Sequence, residues 1–408
     1  MQIKPLKNTF LIASLLIIPG IFSGCSKEIS ASPTEPILEG EMPVTITTNT
    51  QFQTIRGFGG AAIHNWIADL TSTQMTKAFS TTDGIGLSVM RVRIPSYSDQ
   101  FSGEVSQINA AKQFGVSIIA TAWSAPASMK TSNNVIGGKL KKDSYSAYAA
   151  YLRSYNTAVG GVTSISPWNE PNYVVSYEGM NNNAAEIGNF LSLYADSCGT
   201  KVVAPETFNM SKSINDSVLA IAGAKLTTIC GHIYGTTPYK YSVGKEIWMT
   251  EHYTTSTDSG NVWSGAINVA KELHSCMTSG YSMYVWWYIR RFYGLIDESS
   301  NITKRGYAMA HFARWIRPGY YRVSCTETPQ DGVYCTAFSN GSKLIIVAIN
   351  QNDYAINYTF NYSGLSTQGF MCYSTTKTAS LTSKNAATSG NAVIFPLPAS
   401  SITTLVSN

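Results

Sequence analysis

The chain has 408 residues, a formal net charge of +5, and only 13% charged against 12% aromatic residues. Its densest basic cluster, Lys139-Leu-Lys-Lys142, reads as a solvated loop rather than a run or helix face, so nucleic acid is excluded as a partner. Abundant rings with little charge point instead to flat apolar faces of the kind that the C–H faces of sugars stack on.

Residues 1–24 carry a basic start (Lys4, Lys7) and an apolar stretch from Phe10 to Ile18, and lead into Phe22-Ser23-Gly24-Cys25. The apolar run is short for a bilayer span, and small residues before a cysteine resemble a bacterial lipobox, so Cys25 is expected to be lipidated and to become the new N-terminus. The alternative is an ordinary cleaved signal with a chance cysteine; both readings take the protein out of the cytoplasm. Residues 25–41, with Pro33 and Pro36, read as a tether to a membrane anchor. Folded structure is expected from about Met42, with residues 42–52 as an early strand, 53–317 as one α/β unit and 318–408 as a second, all-β unit.

From Gln53 onward, short strand-like runs alternate with amphipathic stretches of helical length, the rhythm of a parallel sheet wrapped by helices. Eight runs are expected as strands: Thr54 to Phe58, Leu87 to Ile94, Val116 to Ala122, Ser164 to Pro167, Lys201 to Ala204, Thr228 to Ile233, Glu246 to Met249 and Ser282 to Trp287. Eight suggests a (β/α)8 TIM barrel. Helices are expected over Ser144 to Ser154, Ala184 to Asp196, Ala266 to Thr278 and Gly306 to Ile316, where apolar residues recur at three and four. After Arg317-Pro318-Gly319 the period becomes two, as in Lys343 to Ile349 and Ile356 to Asn361, which predicts a β-sandwich; the strand around Val44 to Thr47 is a candidate to join it.

Six cysteines follow Cys25, none in Cys-x-x-Cys spacing, so no metal site is indicated. Cys325 and Cys335 flank the turn signal Pro329-Gln-Asp-Gly332, where a cross-strand disulfide is one option. Gly57-x-Gly59-x-x-Ala62 imitates a dinucleotide fingerprint, but the stretch before Asp83 does not read as the end of a second strand. His-x-x-x-His and Gly-x-Ser-x-Gly are absent.

Chemistry is carried by two glutamates that each end a short apolar strand: Glu170 in Ser166-Pro-Trp-Asn-Glu-Pro-Asn172, and Glu251 in Ile247-Trp-Met-Thr-Glu-His-Tyr253. By strand count they close the fourth and seventh strands, on opposite sides of the barrel mouth where such barrels keep their sites. Cleavage of a glycosidic bond needs one carboxyl to protonate the leaving oxygen and another on the far side of the anomeric carbon. Glu206 and Glu178 are rival carboxylates, better suited to supporting or binding roles.

The motifs Trp168-Asn-Glu-Pro-Asn172, Trp248-Met-Thr-Glu-His-Tyr253, Gly57-Phe-Gly-Gly60 and Trp286-Trp-Tyr-Ile-Arg-Arg-Phe-Tyr-Gly294 together resemble glycoside hydrolase family 30, and within it the bacterial glucuronoxylanases of subfamily 8. Ala122-Trp-Ser, Gly231-His-Ile-Tyr234 and Lys304-Arg-Gly-Tyr307 extend the likeness from about residue 42 to the C-terminus. The resemblance implies a (β/α)8 barrel with a side β-sandwich, no cofactor, and a retaining double displacement with Glu170 as acid/base and Glu251 as nucleophile. It places Arg91 and Tyr234 beside Glu251, Asn169 on the sugar 2-hydroxyl, and Trp123 and Trp287 around the sugar next to the scissile bond. Tyr253, Ser256, Arg291 and Tyr293 match the positions that hold a glucuronic acid branch, so the implied substrate is glucuronoxylan; separately, the protein is expected to be a monomer. One of Arg290 and Arg291 is expected to brace the last helix instead. Arg56, Trp168, Asn172 and Phe292 depart from residues common in the family and are expected beside the pocket. The rivals are another retaining activity of the family, such as a xylobiohydrolase, and a non-catalytic glycan-capture lipoprotein.

Overall fold

The computed structural model describes residues 38–408; the leader, Cys25 and most of the 25–41 tether lie outside the described residues. Order begins before Met42, because Leu38–Glu39 pairs in parallel with Ile356 and Asn357. No helix among the described residues is long and apolar enough to cross a membrane.

Eight parallel strands form the barrel: β1 Gly57–Ala61, β2 Val89–Ile94, β3 Ser117–Ala122, β4 Ser164–Ser166, β5 Ala204–Thr207, β6 Thr228–His232, β7 Glu246–His252 and β8 Tyr281–Tyr288. They follow one another in chain order, and β8 returns to pair with β1. Between β4 and β5 closure is a single bridge, Ile165 to Val202, made by the N–H of Ile165 on Lys201 O (2.9 Å) and the N–H of Val203 on Ile165 O (2.9 Å). The expected first strand is displaced: Val44–Thr54 is one long strand of the other sheet, and the barrel starts at Gly57. The expected fifth strand is also displaced, from 201–204 to 204–207. Both shifts fall where glycine or proline lowers strand propensity. Gly59 serves close approach, since a Cβ there would lie 2.4 Å from Val89 O on β2.

The lumen is built in layers, as side chains two apart on a strand point the same way. Val89, Ile119, Val203, Cys230, Trp248, Met283 and Val285 fill its lower part as one apolar cluster. Two residues further along three of these strands come Arg91, Thr121 and His232, all buried, and Trp287 follows Val285 in the same way. The core therefore changes from apolar to ionisable towards the mouth.

The C-terminal strands and Val44–Thr54 form a second sheet, which closes because Val44–Thr54 pairs antiparallel with Tyr321–Cys325 and in parallel with Ile356–Ser363. Period-two patterning holds in Ile356–Ser363, where Ile356, Tyr358, Phe360 and Tyr362 point into its core. Leu344–Asn350 is buried along its whole length, one face against that core and the other against the barrel, whose helices Trp263–Thr278 and Lys304–Ala313 supply the seam. Cys325 and Cys335 are free thiols here. Three helices beyond the expected four, Ser72–Phe79, Phe101–Lys112 and Lys212–Ala222, complete the wrapping.

Candidate active site

Glu170 and Glu251 converge at the barrel mouth, and one donor atom each from Glu170, His232 and Glu251 lie within 4.8 Å of one another. Backbone irregularities aim the acids inward. On β7, Met249 pairs with Gly231 but Glu251 pairs with His232, so Thr250 is an extra residue and Glu251 comes to the lumen side with Trp248. On β5, Pro205 pairs with Cys230 and Thr207 with Gly231, so Glu206 is the extra residue there. Glu170 and Glu206 also have φ of 48° and 59°, left-handed conformations that cost non-glycine residues energy and gather at functional sites.

Arg91 organises the cluster. Its guanidinium donates to Glu251 Oε2 (2.6 Å), Asn169 Oδ1 (2.7 Å) and Thr121 Oγ1 (3.2 Å), and pairs with Glu206 Oε1 at 3.1 Å. The Tyr234 hydroxyl donates to the other Glu251 oxygen (2.8 Å), so both oxygens of Glu251 are held. His232 Nδ1 lies 2.7 Å from Glu170 Oε1 and its Nε2 3.4 Å from Glu206 Oε1.

Electrostatics separate the carboxyls. Burial, the largest influence on Glu170, raises its pKa above the ordinary range although His232 pulls the other way. Burial also acts on Glu206, but Arg91 and then His232 outweigh it and hold that carboxyl down at about 2. His232 resists its own burial because Glu251, Glu170 and Glu206 surround it, and is pushed up to about 9. The close donor atoms would also suit a small cation, but Arg91 supplies positive charge and both His232 nitrogens already face carboxylates.

A cleft of about 770 Å³ opens above this cluster, walled by Trp66, Trp123, Asn169, Tyr177, Phe208, Tyr253, Ser256 and Trp287 as well as the two glutamates. Trp123 and Trp287 stand 6.0 Å apart, both over the Arg91 guanidinium. Tyr253 stacks on Tyr293 at 5.3 Å and 29°, and Arg291 lies over Tyr288 beside Tyr293. Arg290 and Arg291 differ, though neither is seen to brace the last helix: Arg290 pairs with Glu298 and donates to Ala68 O (2.9 Å), both in loops, whereas Arg291 has no carboxylate partner among the described residues. Glu178 is bound to Arg93 (2.7 Å) and Ser96, away from the pair.

Two expectations about the departures need correction. Arg56 pairs with Glu246, the first residue of β7, at the end of the barrel opposite the cleft. Trp168 is fully buried against Tyr148 and Phe190, with its indole N–H on Asn182 Oδ1 (3.1 Å). Asn172 accepts from the Phe208 N–H (2.9 Å) near the cleft wall, and Phe292 is exposed. Sequence reasoning gave no role to His232, although its place two residues after the buried Cys230 puts it in the lumen; Trp66, Tyr177 and Phe208 sit on loops with no periodicity to mark them.

An eight-stranded barrel whose mouth brings two glutamates together from different strands, under an aromatic cleft, defines a glycoside hydrolase. No family model matches the sequence. The glucuronoxylanase XynC of Bacillus subtilis strain 168 is 35% identical over 388 residues, covering 90% of this chain and 92% of that protein. A family 30 subfamily 8 xylanase, Xyn30A, from Clostridium acetobutylicum superposes with a TM-score of 0.83 at 32% identity, covering 90% of this chain and 99% of that one. A family 30 endoxylanase from Clostridium papyrosolvens C71 gives 0.82 at 31% identity, over 90% of this chain and all of that one (100%). The chain belongs to glycoside hydrolase family 30.

Proposed function

We propose that this enzyme is a retaining endo-β-1,4-xylanase that cuts glucuronoxylan at bonds fixed by (4-O-methyl)glucuronic acid branches. Glu170 is the acid/base and Glu251 the nucleophile. Glu251 attacks the anomeric carbon while Glu170 passes its proton to the leaving oxygen; water, deprotonated by Glu170, then releases the sugar from Glu251. The short Glu170–Glu251 separation supports retention, since carboxyls about 5–5.5 Å apart leave no room for the water an inverting enzyme needs. Asn169, its Oδ1 held by Arg91, turns its amide N–H groups to the sugar 2-hydroxyl, while Trp123 and Trp287 bound the ring.

The observation that carries the uronate specificity is Arg291, a guanidinium with a buried Nε lacking a partner, beside Tyr293, which stacks on Tyr253 of the cleft wall. A uronate carboxylate would complete its hydrogen bonds, and an undecorated chain would leave it unpaired. The names of the relatives, glucuronoxylanase among them, agree with this substrate. The test compares glucuronoxylan with uronate-free arabinoxylan. Products carrying one uronate each, with arabinoxylan nearly untouched, are expected. Arg291→Ala is expected to lose about 10–100-fold on glucuronoxylan and nothing on arabinoxylan. Equal cleavage of both substrates by the unmodified enzyme would sink the uronate reading and leave a xylanase of broader choice. Membrane attachment through Cys25 belongs to the same proposal and rests on the leader sequence; a Cys25→Ala protein that still sediments with membranes would refute it.

A further inference from the structure

A third carboxylate lies beneath the two that the mechanism uses. Glu206 is wholly buried, on an extra residue of β5 with positive φ, and its own carbonyl accepts the Glu170 N–H (2.9 Å). The groups facing it from each neighbouring element are Arg91 on β2 at 3.1 Å, Thr121 on β3 donating at 3.1 Å, Ser166 and Glu170 on and after β4, and Cys230 and His232 (3.4 Å) on β6. Arg91 leads on to Glu251 and His232 to Glu170, so Glu206 bridges the supports of both reacting groups.

We propose that Glu206 is the positioning residue that couples the acid/base to the nucleophile, as a fixed anion that keeps Arg91 and His232 charged together. The inference rests on the roles given to Glu170 and Glu251 above. Before reaction Arg91 and His232 carry two positive charges, Glu206 and Glu251 two negative ones, and Glu170 holds its proton, so the buried cluster is neutral. Glycosyl transfer makes Glu251 a neutral ester as the Glu170 proton leaves on the departing hydroxyl. Glu170 then carries the charge that Glu251 gave up, and the cluster remains neutral. Without Glu206, two buried cations would face one anion in both states, and His232 would be the group able to relieve the excess by losing its proton.

The experiment follows the imidazole of His232 by NMR in histidine-labelled enzyme. The chain has five histidines, and the His232 signal is identified by its loss in His232→Gln. In the unmodified enzyme His232 is expected to stay charged well above neutrality. In Glu206→Gln its titration should fall by about one to three pH units. The kcat profile should then gain a downward inflection at that same pH, because Glu170 above it has lost its charged donor, while KM changes little. Glu206→Asp should restore part of the original profile. A Glu206→Gln profile of unaltered shape, merely scaled down, would mean a structural role only and overturn the proposal. An ordinary His232 titration near pH 6.5 in the unmodified enzyme would do the same, with no variant needed. Failure of the underlying reading shows elsewhere, as retained turnover in variants of Glu251 itself.

Discussion

At the barrel mouth, Arg91, Glu206, His232, Glu170 and Glu251 are five ionisable groups packed against one another. At the seam between barrel and sandwich, His274 and His311 are buried with hydroxyls as partners: Thr336 (2.7 Å) for His274, Thr404 (2.7 Å) and Thr375 (2.8 Å) for His311. The same side chain behaves oppositely in the two places. His232 is pushed up to about 9 by its carboxylates. Burial alone pushes His311 down to about 3, and burial with the nearby Arg322 and Lys271 cations pushes His274 down to about 4. Depth decides only that a shift occurs; the neighbours decide its sign. Docking the sandwich needs permanent polar contacts and gains nothing from charge, whereas catalysis needs charge that can be redistributed.

The largest expected effect lies at the mouth. Glu251→Gln keeps shape and hydrogen-bonding capacity but removes the nucleophile, so kcat should fall by about 10⁴-fold or more with the fold intact, as read by turnover and circular dichroism. Glu170→Gln should cost about 10²–10⁴-fold, least for substrates whose leaving group needs no proton. Turnover equal to the unmodified enzyme in either variant would remove that residue from the mechanism.

Arg91→Met comes next and separates stability from chemistry. It leaves Glu206 and Glu251 without their buried cation, which should cost about 3–5 kcal/mol of stability in urea unfolding at pH 7. Glu206, now raised by burial with less to oppose it, would bind a proton more readily folded than unfolded. The deficit should therefore narrow as pH falls. A constant deficit between pH 7 and 5 would place the loss in packing against Trp123 rather than in charge.

How far the sequence foretold this contrast depends on periodicity. The barrel was legible because six of its eight strands fall on the short runs expected for them, and the pair Glu170 and Glu251 because each follows such a run. The glycines of β1 and Pro205 of β5 hid two strand boundaries. The helix Phe101–Lys112 is hard to read from periodicity because it buries Glu104 and Gln107 among its apolar residues, which blurs its stripe. Neither the extra residue in β7 nor that in β5 has a local signature, since register is set by pairing with strands far away in sequence. Hence the inward aim of Glu206 could only come from the structure. The seam histidines were invisible for a similar reason: Thr336, Thr375 and Thr404 come from three different strands.

The smallest effect is at the seam and needs pH to show it. His311 and His274 have folded pKa values below the unfolded value of about 6.5, so the unfolded chain takes up protons first as pH falls. Their contribution is therefore unpenalised above about pH 6.5 and is lost below it, until about pH 4 for His274 and about pH 3 for His311. Each steepens the acid loss of stability by at most about 1.4 kcal/mol per pH unit. His311→Gln can still reach both threonines with its amide but cannot take up a proton in this range. It should flatten the decline between pH 6 and 4 while leaving urea midpoints at pH 7.5 nearly unchanged. Glu206 makes its own acid-labile contribution from about pH 4.5 down to about 2, because its folded pKa is depressed, so the two sources overlap only in the lower part of the window. A decline between pH 6 and 5 that persists unchanged in both His311→Gln and His274→Gln would show that neither histidine causes it, and the seam would no longer stand as the titratable weak point of the fold.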